Sequence, residues 1–185
     1  MTAIRPLPVP VAAAPVLFGE TATSALLPWA WAADRLTAAR NYWVVGVRPD
    51  GRPHSRPLWC VWLEDGLWFT TGSQAVRSLR ANPQVSVNLE DGSEVLILEG
   101  VAEEVTVSTD LERFVAAYNA KYSHTARVDG ENIADAEGPI GPAFRVRPRV
   151  VYGWQAEMRD PTRWTFPPDA PASLPRSGWP ARSAV

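Results

Sequence analysis

Three tight Asp-Gly turns limit what this chain can become. Pro49-Asp50-Gly51, Glu64-Asp65-Gly66 and Glu90-Asp91-Gly92 each stand between two apolar runs. Asp-Gly between such runs is hairpin chemistry, because glycine enters the positive-φ turn conformation without steric cost. The runs are "YWVVGV", "RPLWCVWL", "LWFTT", "VSVNL" and "EVLILEGVAEEVTV", followed later by "FRVRPRVVYGW". All are rich in β-branched and aromatic residues, so they read as six strands paired antiparallel. Six short strands with few helices predict a small closed or nearly closed barrel, since closure removes exposed sheet edges.

Helix signals are few. "AADRLTAAR" reads as a short helix leading into the first strand. "SQAVRSLRA" reads as a second, capped by Ser73 and stopped before Asn82-Pro83, because the residue preceding proline disfavours helix. A third carries Thr109 and Glu112 as a capping box, with Leu111, Phe114, Val115, Tyr118 and Tyr122 on one face to pack on the sheet. The last strand sets Phe144, Val146, Val150, Tyr152 and Trp154 against Arg145, Arg147 and Arg149, predicting one apolar and one cationic face. Pro148 within it predicts an edge position, where a missing N–H is tolerated.

Eleven of the 18 prolines fall in residues 1–28 and 161–185, in segments without sustained periodicity. The expected organisation is therefore a Pro-rich N-terminal tail over 1–28, one mainly β domain over 29–158 and a Pro-rich C-terminal tail over 159–185. There is no internal repeat. A hydrophobic share of 46% with nine Trp supplies a real core for one domain. A net charge of −2 gives no basis for holding a nucleic-acid backbone, which requires clustered cations. Mean hydropathy is −0.14, and no apolar run approaches the roughly 20 residues of a membrane-spanning helix. Pro8, Pro10 and Pro15 interrupt the one segment resembling a secretory leader. A single cysteine, Cys60, excludes an internal disulfide and suits a reducing compartment, so the expected location is the cytoplasm.

The chemistry concentrates where "LWFTT" runs into the second helix. A helix N-terminus gathers unpaired N–H groups and positive dipole, so Thr70, Thr71, Gly72 and Ser73 form a candidate phosphate cradle, with Arg77 one turn on and Arg56 on a nearby strand adding charge. The same residues also read as plain structure, a capping serine and two threonines on a pleated surface. His54, His124 and Cys60 have no metal-ligand spacing, and no nucleophile elbow, dinucleotide fingerprint or P-loop occurs. The acidic pairs Glu64/Asp65, Glu90/Asp91 and Glu103/Glu104 read as solvated turn residues. No dedicated catalytic side chain and no metal site is expected.

The ordered segments "LPWAWAADRLTAARNYWVVGVRPDGRPHSRPLWCVWLEDGLWFTTGS", "LRANPQVSVNLEDGSEVLILEGVAEEV", "FVAAYNAKY", "FRVRPRVVYGW" and "TRWTF" span about residues 28–166. In these the chain resembles the pyridoxamine 5'-phosphate oxidase-like split-barrel family, and within it the flavin/deazaflavin oxidoreductases. The resemblance implies a mainly β, six-stranded antiparallel split barrel (the FMN-binding split barrel) with a few short helices, forming a homodimer with two cofactor sites at the interface. It also implies FMN or the deazaflavin coenzyme F-420 as cofactor, slightly favouring the latter. Carried over residue by residue, the cofactor-binding positions are Arg56, Trp59, Thr70, Thr71, Ser73, Gln74 and Arg77. Where members commonly read Ser-Arg-Lys-Ala-Arg-Asn-Leu, this chain has Ser73-Gln74-Ala75-Val76-Arg77-Ser78-Leu79. Two cations of the pattern are missing, and Arg145, Arg147 or Arg149 are the candidates to replace them from a second subunit.

Two functions follow. The first is an oxidoreductase moving hydride or electrons between bound cofactor and a small planar or unsaturated substrate. The second is a non-catalytic split barrel that stores or carries a flavin, heme-like or other planar ligand, or has lost its cofactor; Gln74 and Ala75 favour it. Trp59, Trp62, Trp68, Trp154 and Trp164 read either as core and interface filler or as the walls of a planar slot.

Overall fold

The structure, a computed structural model, describes residues 5–17, 20–21 and 25–167. In chain order the elements are β1 (Val11–Ala13), a small hairpin of β2 (Val16–Leu17) and β3 (Glu20–Thr21), α1 (Trp29–Ala38), β4 (Tyr42–Val47), β5 (Pro53–Leu58), β6 (Cys60–Leu63), β7 (Gly66–Thr70) and α2 (Ser73–Ala81). There follow β8 (Gln84–Leu89), β9 (Val95–Val105), α3 (Ser108–Tyr122), β10 (Arg127–Asp129), β11 (Asn132–Ala134), β12 (Pro139–Gln155), a 3-10 turn (Ala156–Met158) and β13 (Arg159–Thr165).

The run from Pro53 to Leu63 is interrupted once, at Trp59. Its first half pairs with β4 and its second with β7. The remaining pairings run β4 to β8, β8 to β9, β9 to β12 and β12 to β7, all antiparallel. Counting 53–63 as one bent strand, six strands close on themselves, which is the expected barrel. Beyond those six, β13 continues from β12, β1 adds to β13, and β10 with β11 forms an arm on the start of β12.

Strand alternation sorts the side chains into two cores. Inside the barrel, Tyr42, Cys60, Leu67, Phe69, Leu98, Phe144 and Val146 are almost fully buried, with Val76 and Leu79 of α2 and Leu36 of α1 packed against them. On the outer face of β6 and β7, Val61 and Trp68 meet Leu111, Phe114, Val115 and Tyr118 of α3. Every residue of β7 is buried because it is covered on both sides. Each large side chain sealed this way contributes about 1.5–3 kcal/mol.

Several expectations need correction. The domain does not end at 158: β13 lies in the sheet against β12, and Trp164 is fully buried. Nor is 1–28 all tail, since β1 extends that sheet and Leu27 donates its N–H to Thr162 Oγ1. Residues 168–185 of the expected C-terminal tail lie outside the described residues.

Pro148 is at an edge only locally: there β12 has β9 on one side and no strand paired on the other. It sits opposite Gly100 at a bulge, between the stretch of β12 paired with β7 and the stretch paired with β13. The bulge leaves Arg149 unpaired, and the missing Pro148 N–H is tolerated where β12 lacks a second neighbour. The bulge also shifts the alternation, burying Val151 in place of Val150. A Cβ on Gly100 would stand 2.5 Å from the Arg147 carbonyl oxygen, so only glycine permits this approach.

The third helix begins at Ser108 with Val107 as its N-cap, and the Thr109–Glu112 capping box does not form. Its expected apolar face is buried as read. The second helix has Gly72 at the N-cap and Ser73 as its first helical residue; the Ser73 side chain lies outside the described residues.

Candidate functional site

The pocket between β5, the end of β7 and α2 is built by alternation. On β5, His54, Arg56 and Leu58 are half-buried while Pro53, Ser55 and Pro57 are exposed, so the first three point inward. On β7, Leu67 and Phe69 face the barrel, and continuing that phase puts Thr71 on the same side. Helix α2 completes the walls with Ala75, Ser78 and Leu79.

Arg56 and Thr71 come together as expected: the guanidinium donates to Thr71 Oγ1 at 3.2 Å. Among the described residues Arg56 has no carboxylate partner, and the pocket lining contains no acid. A half-buried guanidinium without a counter-charge attracts an anion, and Thr71 fixes one of its N–H groups. Gly141, at φ +139°, lets the β12 backbone approach so closely that a Cβ there would lie 2.3 Å from the Thr71 carbonyl oxygen. That contact holds the turn entering α2 in place.

The other expected positions divide. Thr70, one residue out of phase with Thr71, is buried and donates its hydroxyl to the Gly141 and Pro142 carbonyl oxygens, both at 3.1 Å. It ties β7 to β12 and leaves nothing to offer a ligand in this pocket. Gln74 and Arg77 lie on the exposed side of α2, and Arg77 has no ion-pair partner among the described residues. Ser78, which sequence reading missed, is buried in the lining with its hydroxyl on the Gln74 carbonyl oxygen. His54, set aside on metal spacing, also lines the pocket. The signal that places it there is the period-two pattern His54, Arg56, Leu58.

Trp59 is not in this pocket. At the break between β5 and β6 it stacks on Tyr122 at 4.7 Å with rings 3° from parallel, and meets Tyr118 at a tilt and His124 edge to face. The barrel seam is tied there. Tyr122 Oη accepts from the Cys60 N–H and donates to the Arg40 carbonyl, and Lys121 Nζ donates to Tyr42 Oη at 2.7 Å and the Cys60 carbonyl at 3.1 Å. Burial pulls the Lys121 ammonium down to about 8. Burial likewise pushes the Cys60 thiol above its ordinary value, which leaves it protonated and inert as a nucleophile.

The cationic face of β12 is largely consumed. Asp65 was expected in solvent, yet it is 1% exposed and accepts from Trp68 Nε1 (3.0 Å), Arg113 (2.8 Å) and Arg145 (3.2 Å). Burial raises the Asp65 carboxyl, but the hydrogen bonds from Arg113 and Trp68 and the nearby guanidinium charge outweigh it and hold the group below the usual carboxylate range. Arg145 also pairs with Glu103, and Arg147 donates to the Arg5 and Asp65 carbonyls. Of the three arginines, Arg149 is the exposed one, donating to Gln84 Oε1 at 3.4 Å.

The fold agrees with known proteins. The family model described as pyridoxamine 5'-phosphate oxidase matches residues 32–166, so the chain belongs to that family. No curated protein matches it. Among solved structures, the conserved hypothetical protein Rv2991 from Mycobacterium tuberculosis is 24% identical, with a TM-score of 0.61 over 74% of this chain and 90% of that one. Campylobacter jejuni ChuZ is 9% identical, with a TM-score of 0.54 over 69% of this chain and 55% of that one. Both likenesses speak to the fold. An F420 reductase is 24% identical, with a TM-score of 0.49 over 64% of this chain and 93% of that one.

Proposed function

We propose that this chain is a flavin- or deazaflavin-dependent oxidoreductase acting as a homodimer on a small planar or unsaturated substrate. The observation that carries the reading is Arg56: a half-buried guanidinium, oriented by Thr71, in an acid-free pocket against the inward side of α2. That is a receptor for an anion, and the phosphate-bearing tail of FMN or coenzyme F-420 is the anion the family's chemistry calls for. When bound, the cofactor supplies the hydride or electron transfer at its ring, as cofactors do. The chain's own residues hold the tail, with Arg56 and Thr71 as contacts and Ala75 and Ser78 as packing.

The pocket has an internal volume of about 20 Å³, room for little more than one water molecule. Sites for ligands of flavin size enclose about 300–1,000 Å³. The cavity of a single chain is too small to enclose the cofactor, so on this reading Arg56 and Thr71 meet the tail at the pocket mouth and a second copy supplies the remaining wall. The outer barrel face suits that role: Trp43 is 41% exposed, and beside it a shallow groove of about 450 Å³ runs along Val45, Val47, Glu99, Arg149 and Val150.

Titration with FMN and, separately, coenzyme F-420, followed by cofactor fluorescence and light scattering, tests the reading. Saturable micromolar binding of one, by a dimer, is expected; no binding of either overturns it. A non-catalytic carrier remains the second reading, because neutral Ala75 lines the pocket where family members commonly place cations. Turnover with the reduced cofactor across a panel of unsaturated substrates separates the two.

A further inference from the structure

We propose that His54 is a second ligand for the anionic group held by Arg56, so that the site grips a phosphate-bearing cofactor more firmly when the imidazole is protonated. This rests on the cofactor reading above and goes beyond it by naming the residue that couples binding to pH. Three observations support it. His54 and Arg56 are two residues apart on β5 and both line the pocket, so their side chains share one face. Directly across the β4–β5 ladder from His54 stands Gly46, which has no side chain, so the ring lacks the cross-strand neighbour that would otherwise cover it. Among the described residues the imidazole has no hydrogen-bond partner.

The charges around it point the same way. Helix α2 presents Ala75, Ser78 and Leu79, and the end of β7 presents Phe69 and Thr71, none of them ionised. Val44 and Gly46 of β4 are equally neutral. On the adjoining β4–β5 turn, Asp50 is engaged by Arg52, leaving Arg48 as the other cation of that end. A protonated imidazole therefore has Arg56 as its charged neighbour in the lining and no carboxylate to balance it. An anion placed between the two relieves that repulsion and takes N–H donors from both.

The test compares ligands with and without the phosphate: FMN against riboflavin, which differ in that group alone, and coenzyme F-420 against its ribityl deazaflavin core, which lacks the phosphate and the tail beyond it, each at about pH 6 and about pH 8.5, on either side of the ordinary imidazole range. In the wild type the phosphate-bearing member binds tighter. His54→Gln loses about tenfold of that advantage at the lower pH and at most about twofold at the higher, as expected for one charged hydrogen bond. His54→Lys keeps the advantage at both. Binding of the phosphate-free ligands is unchanged in both variants, which separates the effect from a folding defect. If neither phosphate-bearing ligand outbinds its partner, the cofactor reading and this inference fall together. If one does and His54→Gln retains the whole advantage at the lower pH, the assignment to His54 alone is overturned.

Discussion

Two regions of this molecule use the same chemistry in opposite states of completion. Around Asp65, three donors from β7, α3 and β12 converge on one buried carboxylate, and the guanidiniums of Arg113 and Arg145 lie over the Trp68 ring at 5.0 and 5.7 Å. Around Arg56, a guanidinium and an imidazole face a pocket with no acid at all. The first region is a closed account of charge that locks the β6–β7 turn to α3. The second leaves positive charge unmatched, which a folded chain tolerates where a ligand completes it. Arginine count alone would rank β12 as the binding surface; pairing state ranks β5 instead.

The largest expected effect comes from opening the closed region. Asp65→Asn removes the buried carboxylate that Arg113 and Arg145 share, leaving them only the more exposed Glu64 and Glu103, and should cost about 2–4 kcal/mol, read as a fall in Tm of about 10 °C. A change under about 1 kcal/mol would mean the network is not the anchor described.

Next is its pH dependence. Because the folded Asp65 carboxyl lies below its ordinary value, its contribution is present above the ordinary carboxylate range and is lost as pH falls through the folded value. Urea denaturation from about pH 6 down to about pH 3 should show wild-type stability falling more steeply than that of Asp65→Asn.

Arg56→Met tests the open region and should behave inversely. Stability should change by less than about 1 kcal/mol, while affinity for the phosphate-bearing cofactor falls about tenfold to a hundredfold, the loss of one or two charge-assisted hydrogen bonds. A large fall in Tm with unchanged affinity would reverse the two roles.

The smallest and sharpest contrast lies between adjacent threonines. Thr71→Val should lower cofactor affinity a few-fold by releasing Arg56, whereas Thr70→Val should cost about 1 kcal/mol of stability with affinity unchanged. Equal effects from both would mean that strand phase does not decide their roles.

That threonine pair also shows where sequence reading succeeds and where it stops. The turn into "SQAVRSLRA", with Arg56 on a nearby strand, marked the pocket from local pattern, and Arg56 and Thr71 meet there; the period-two pattern of "PHSRPL" that adds His54 went unread. The same segments offered Thr70 and Trp59 as equals, because nothing local distinguishes a hydroxyl aimed inward from one aimed at β12, or a Trp in a slot from one stacked on Tyr122, 63 positions away. Asp65 was misread for the same reason: an Asp-Gly turn is normally solvated, and only the arrival of Arg113 and Arg145 buries this one.

What the sequence determined by itself is the class of architecture: six apolar segments of strand period, three of their five connections Asp-Gly turns, with a helix face of Leu111, Phe114, Val115, Tyr118 and Tyr122. Those patterns are local, since steric preference and periodicity act over a few residues. What only the tertiary structure decided is which charges find partners. Pairing joins residues tens of positions apart, and in this fold it spends Arg145 on Asp65 and Glu103 while leaving Arg56, with His54 beside it, facing an acid-free pocket.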